Sequence, residues 1–224
     1  MIFHAKSQPA PECLAAEKAK ANGNYNCGDV LERLKTDFKN KCYLCESKEP
    51  HSINTEHFRP HRGNKDLKFD WDNLFYCCSH CNNTKLAKPE YDDILNCTIE
   101  NEEVDRKIKY HINPFPKEKA EISAIEIENT KVASTVELLN NIYNGTTELK
   151  IIEAANIRSR LLKEIRSFQD LLFEYFDDSY TEEEREKIKS AIIRHLRPSS
   201  NFTAFKLWVI RDNEELSNEF KEYV

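Results

Sequence analysis

The chain is poor in glycine, with four in 224 residues, and no Gly-, Ser- or Pro-rich stretch reads as a flexible linker. It also has no internal repeat and no low-complexity tract. No apolar run approaches the roughly 20 residues that a membrane span requires. The opening Met1-Ile-Phe-His-Ala-Lys6 lacks the apolar core of a signal peptide. The expectation is a cytoplasmic location, with all eight cysteines reduced rather than paired as disulfides. Net positive charge is missing too: 39 Asp and Glu outweigh 33 Lys and Arg, giving −6. That balance argues against a nucleic-acid partner, but the distribution of charge is the better guide. From Arg59 to Lys68 the cations Arg59, Arg62, Lys65 and Lys68 meet one acid, Asp66, and Lys85 and Lys88 follow. Acids gather late, as at Glu182-Glu-Glu184 and Glu214-Glu215.

What the chain does have is cysteine in a telling order. Cys42-Tyr-Leu-Cys45 and Cys78-Ser-His-Cys81 form two Cys-x-x-Cys pairs. Four thiolates so spaced match the tetrahedral preference of zinc, each pair biting through a tight turn. A closed structural site of this kind turns binding energy into folding energy, on the order of 10–16 kcal/mol in small zinc peptides. Residues 42–88 are rich in polar and turn residues, so metal rather than an apolar core is expected to hold them. Cys77, directly before Cys78, reads as a small packing group. Cys13, Cys27 and Cys97 have no partner at ligand spacing and read as structural. His80, between two ligands, is expected to point outward.

The length allows one large domain or a small one plus a larger one. Pro9 and Pro11 precede a helix-forming run, Glu12 to Lys20, and Asn22-Gly-Asn-Tyr-Asn26 breaks it. Asp29 caps a second helix with Val30, Leu31, Leu34 and Phe38 on one face. His111 to Pro116 is an extended connector, because its two prolines forbid helix. Ile122, Ile125 and Ile127 with Val132 suggest a short hairpin. From Ser134 the pattern is helical. Thr147 to Phe176 is one long amphipathic helix carrying Leu149, Ile152, Ile157, Leu161, Leu162, Ile165, Phe168, Leu172 and Phe176. Thr181 to Glu184 is a capping-box signature for another helix, ended by Arg197-Pro198, and Asn201 to Ile210 gives a last one.

Inside the clamp, Glu56-His57 puts a histidine beside a carboxylate, followed by Asp72-Asn73-Leu74 and Cys81-Asn82-Asn-Thr-Lys85. In this arrangement the chain resembles the HNH endonuclease family, whose ββα-metal motif has the same layout. The resemblance implies that Glu56 and Asn82 coordinate Mg²⁺ or Mn²⁺ and that His57 is the general base. Mg²⁺ takes few protein oxygens and keeps several waters, and Glu56 with Asn82 offers that sparse set. A neutral imidazole can take a proton from water, worth about 10²–10⁴-fold. Asn73 would tie the loop backbone that holds the imidazole. Lys85 and Arg59 would contact phosphates. Asn83 is the alternative to Asn82, and His51 and His61 are the alternative histidines.

The longer strings Thr55-Glu-His-Phe-Arg-Pro60, Asp70-Trp-Asp-Asn-Leu74 and Cys77-Cys-Ser-His-Cys-Asn82, with Asn113-Pro-Phe115, look like the PtuB group of HNH nucleases. These are partners of the ABC-type ATPase PtuA in Septu anti-phage systems and in some retron operons. One departure is His61, where relatives often carry lysine. The resemblance implies an α+β fold, mainly α. A zinc-clamped ββα-metal module (42–90) lies between an N-terminal helical segment (1–41) and a helical body (91–224) for packing and partner docking. It also implies a defence nuclease that cuts DNA, with RNA such as tRNA as the alternative. The partners would be a PtuA-like ATPase and, in a retron, a reverse transcriptase and its nucleic acid. A zinc-stabilised binding module without catalysis is the competing class, against which Glu56, His57 and Asn82 speak. A homing or restriction enzyme is disfavoured, since there is no separate basic domain and no recognition-helix signature.

Overall fold

The computed structural model describes residues 1–126 and 128–224. Its elements run α1 (Glu12–Lys18), α2 (Val30–Asp37), β1 (Ile53–His57), α3 (Lys65–Lys68), β2 (Leu74–Cys78), α4 (Ser79–Lys85), α5 (Val104–Lys107), β3 (Ile108–Ile112) and β4 (Ala120–Ala124). The helices α6 (Thr130–Asn144), α7 (Glu148–Tyr175), α8 (Glu182–Leu196), α9 (Thr203–Arg211) and α10 (Glu214–Glu219) complete it. The class is α+β, mainly helical, with two separate two-stranded antiparallel sheets. No described helix is long and apolar enough to cross a membrane.

β1 pairs with β2 in a register that sets Glu56 opposite Phe75 and His57 opposite Leu74. α4 follows β2 directly and packs on both strands, completing a ββα unit. That unit is not held by metal alone, contrary to the expectation from its polar composition. Tyr43, Phe58, Phe69, Trp71, Phe75 and Tyr76 are all buried. Phe75 has the rings of Tyr43 at 5.0 Å, Phe58 at 4.9 Å and Phe38 at 5.3 Å. Such aromatic contacts each add roughly 0.5–1.5 kcal/mol beyond the area they bury. The composition misled because the aromatics come from separate segments, Tyr43, Phe58 and Phe75 among them, and meet only in the fold.

The hairpin of the second half is β3–β4, pairing Ile108 with Ala124 and Ile112 with Ala120. It contains Ile122 as expected, but Ile125 lies past its end, Val132 belongs to α6, and Ile127 lies outside the described residues. His111 and Ile112, expected in a connector, are strand residues, and the two prolines fall in the loop after them. α6 starts at Thr130, earlier than Ser134, because the Asn129 side chain accepts from the Lys131 and Val132 N–H groups. Gly145, at φ 76°, turns α6 into α7; a Cβ there would meet the Ile151 backbone at 2.5 Å. Thr147 caps α7, and a full capping box at Thr181 and Glu184 opens α8.

Not every apolar residue on these helices faces inward. In α7, Ile157, Leu161, Ile165, Phe168 and Leu172 are buried, whereas Leu149, Ile152 and Phe176 are exposed. In α2, Leu31 is exposed while Val30 and Leu34 are buried, since residues four apart share a face and Leu31 lies a quarter-turn away. Asp29 makes no side-chain cap, its backbone being outside the extended region that a cap needs. α9 is not the last helix: α10 follows, capped by Asn213. One buried core runs through all three stretches, joining Leu34, Phe75, Tyr143 and Phe205.

Candidate functional site

The two knuckles come from different local structures. Cys42 and Cys45 bracket a turn after α2, where Glu46 takes a left-handed backbone and its N–H reaches the Cys42 carbonyl at 2.9 Å. Cys78 ends β2, and Cys81 sits in the first turn of α4. All four are buried and their sulfurs lie within 4.8 Å of one another. Sulfurs about 2.3 Å from a central zinc would be about 3.8 Å apart, and Cys45 and Cys78 are at 3.8 Å. The thiols crowd one another. Burial raises Cys42, yet hydrogen bonds from Cys45, Cys77, Cys78 and Cys81 bring it well below its ordinary value. Hydrogen bonding to Cys42 raises Cys78, and burial followed by hydrogen bonds with Cys42, Cys45 and Cys77 raises Cys81. A divalent cation at the centre of such a group favours the ionised thiolates that ligate it. The residues fit zinc.

Cys77 is buried beside this group, its sulfur 3.9 Å from Cys42. Cys13 and Cys27 are not free thiols: their sulfurs are joined at 2.11 Å, which corrects the expectation that all eight cysteines are reduced. The turn at Gly28, whose φ is 50°, brings Cys27 back under α1 to a Cα distance of 6.0 Å. His80 is also corrected. It is buried, with Nε2 2.8 Å from the Ile142 carbonyl and Nδ1 2.7 Å from the Glu153 carboxylate.

His57 closes β1. Its Nε2 lies 3.0 Å from the Lys68 carbonyl. A carbonyl only accepts, so in the neutral ring Nε2 carries the hydrogen and Nδ1 keeps the lone pair. Burial lowers its pKa, and the charges of His61, Lys68 and Lys85 push the same way against the carbonyl's opposing pull. The ring is therefore neutral near pH 7. Two rings meet it edge-on, Tyr25 at 4.6 Å and His61 at 4.7 Å. His61 thus touches the residue for which it was only an alternative, and His51 stays exposed on the loop before β1.

Asn73 is buried in the turn before β2. Its carboxamide oxygen accepts the Arg59 N–H at 2.7 Å, and its nitrogen donates to the Arg59 and Leu67 carbonyls, both at 2.9 Å. Its own carbonyl accepts the Phe58 N–H at 2.8 Å. One side chain thereby fixes both ends of the 59–67 loop, next to the Lys68 carbonyl that orients His57. Arg59 itself is exposed, and its guanidinium has no partner among the described residues.

Lys85 is 1% exposed, and its ammonium donates to Glu56 Oε1 at 2.7 Å and to the Phe58 carbonyl at 2.8 Å. A buried ammonium so engaged has no donor to offer a phosphate, which corrects the expected contact. Glu56 is 6% exposed, and its second oxygen, Oε2, is buried without any partner. Asn82 precedes Lys85 by three residues and so shares the α4 face turned toward Glu56. It is half-buried, and its carboxamide has no partner among the described residues. Asn83 lies one position round, exposed, with its carbonyl bound by Lys150 at 3.0 Å.

Sequence reasoning missed Tyr25 and the Lys68 carbonyl as neighbours of His57. Neither had a local signal, since both arrive by packing of distant loops. No protein-family model matches the chain, and no curated protein matches it.

Proposed function

We propose that this chain is a metal-dependent endonuclease of the HNH type that hydrolyses nucleic-acid phosphodiesters, with a structural zinc at Cys42, Cys45, Cys78 and Cys81. The observation that carries the reading is His57: a neutral imidazole with a fixed tautomer, next in chain to a carboxylate oxygen left unpartnered in a buried place. Nδ1 of His57 takes the proton from the attacking water, and Asn73 holds the loop that orients the ring. Glu56 Oε2 and the Asn82 carboxamide are the oxygens suited to a divalent ion such as Mg²⁺ or Mn²⁺. When bound, that ion supplies charge neutralisation at the scissile phosphate. Arg59 is the free cation left to meet a neighbouring phosphate.

On this reading DNA is the first substrate to test and RNA the second. The likeness to the PtuB group makes the chain an anti-phage effector in the cytoplasm, held by a PtuA-like ATPase and, in a retron setting, joined by a reverse transcriptase. One observation favours a second reading, a binding module without catalysis: Lys85 already neutralises Glu56. Cleavage of supercoiled plasmid and of total RNA with Mg²⁺ or Mn²⁺ separates the two, comparing wild type with His57→Ala at equal zinc content. Metal-dependent cleavage lost in the variant supports the nuclease and names its substrate. Equal cleavage by both proteins removes His57 as base. If neither cuts, alone or with the ATPase, the binding module stands.

A further inference from the structure

Along α7, opposite the loop between β3 and β4, runs a groove of about 650 Å³. Its charge is opposite in sign to the net charge of the chain. Lys117, Arg158, Lys163 and Arg166 line it against one acid, Glu118, in a protein of net charge −6. Arg158 is the informative member. The residue is only 8% exposed, its Nε has no hydrogen-bond partner, and among the described residues no carboxylate pairs with it. Its one bond goes from Nη1 to the Tyr143 carbonyl. Burial depresses its pKa, and no opposite charge stands against that among the described residues. Buried guanidiniums are normally paired, so this one points to an anion supplied from outside.

A second feature narrows the ligand. Phe115 is 64% exposed and stands on the rim between Pro114 and Pro116. An open aromatic face beside guanidinium and ammonium groups is how proteins take unpaired bases together with their phosphates. From Ala155 to Gln169 the groove follows about 21 Å of helix, longer than one nucleotide, and it has one wall of loop and one of helix. We propose that this groove binds a single strand of nucleic acid, with a base on Phe115 and phosphates against Arg158, Lys163 and Arg166. The inference deepens the nuclease reading and rests on it for the role of the strand as substrate. α7 also begins at the site, since Lys150 in its first turn holds the Asn83 carbonyl of α4.

The test separates binding from cleavage. His57→Ala protein, zinc-loaded and without Mg²⁺, is titrated into a fluorescein-labelled single-stranded oligonucleotide of about 20 nucleotides, and anisotropy is read at several salt concentrations. Adding Lys163→Glu with Arg166→Glu should weaken binding at least tenfold and flatten the salt dependence, by a slope of about 0.7 for each phosphate no longer neutralised. Phe115→Ala should weaken binding about tenfold while leaving that slope unchanged. All three side chains are exposed, so matched melting curves are expected. Undiminished binding by the charge-reversed protein, or no binding by the parent, overturns the proposal. So does equal competition by a duplex of the same sequence, or by a polyglutamate peptide, which would assign the groove to an acidic protein segment. Loss of binding in the groove variants beside a wild type that never cuts would leave the groove standing and the nuclease reading fallen. The reverse pattern would do the opposite.

Discussion

The Lys85 ammonium lies 2.7 Å from Oε1 of Glu56, and both side chains are closed off from solvent. The pair joins α4 to the C-terminal end of β1, where His57 closes the strand. A buried pair is costly to break from one side, because the partner is left charged and unmatched. Lys85→Met should therefore destabilise the fold by about 3–5 kcal/mol, read from urea unfolding. A phosphate-contacting lysine would instead leave stability unchanged and alter only the salt dependence of substrate binding. That second pattern would remove the structural role assigned to Lys85.

Zinc content should distinguish the adjacent cysteines of β2. Cys78→Ala is expected to lose the metal and melt far lower, whereas Cys77→Ala should keep one zinc per chain, by elemental analysis of purified protein. The basis is that Cys78, not Cys77, belongs to the group of four whose sulfurs lie mutually within 4.8 Å. Full zinc in Cys78→Ala would mean that Cys77, 3.9 Å from Cys42, is the ligand.

Asn73 offers a test of bracing by shape rather than charge. Asn73→Asp keeps an acceptor for the Arg59 N–H but cannot donate to the carbonyls of Arg59 and Leu67. Two part-buried carbonyls lose their donor, each worth up to about 1–3 kcal/mol where water cannot replace it, so the variant should lose about 1–3 kcal/mol in all. On the nuclease reading its cleavage rate should fall more than its substrate affinity. An unchanged unfolding midpoint would show that the loop does not depend on this side chain.

His4 gives a pH dependence. The imidazole is buried against Phe38 with neither ring nitrogen bonded, and burial, helped by the Lys41 charge, pushes its pKa down to about 3. The unfolded chain takes the proton near pH 6.5 and the folded chain only near pH 3, so acid favours unfolding between those values. This contribution is full above about pH 6.5, and it falls by about 1.4 kcal/mol per pH unit below that. Between pH 7.5 and 5.5, wild type should lose about 1 kcal/mol more than His4→Leu. Parallel losses in the two proteins would refute it. Comparing the two cancels any separate effect of acid on the four-cysteine group.

What could be read in advance was what is local in the chain. Each knuckle announces itself within four residues, and so do the Thr181–Glu184 capping box and the ends of α7. The misreadings around the site were of pairings between distant segments, whereas the missing Asp29 cap and the early start of α6 were local. Lys85 looks like a surface cation until β1 is placed beneath it. Tyr25 sits in a turn rich in asparagine and meets His57 only after α1 and the 61–69 loop have docked. Cys13 and Cys27 carry no ligand spacing, and their union depends on the turn at Gly28. The aromatic core of the ββα unit was missed for a related reason: Phe38, Tyr43, Phe58 and Phe75 belong to separate segments, and local composition cannot see a cluster gathered across them.

His80 has a consequence for how this molecule can be dissected. It stands between two cysteines of the buried group of four, yet both of its ring nitrogens are satisfied by the helical body, at Ile142 on α6 and Glu153 on α7. Cutting the chain after the knuckles would strand that imidazole and strip the cover from the turn that carries Cys78 and Cys81. The ββα unit is therefore not a cassette that can be excised and grafted. Any fragment meant to report on its chemistry has to carry α6 and the first two turns of α7 with it.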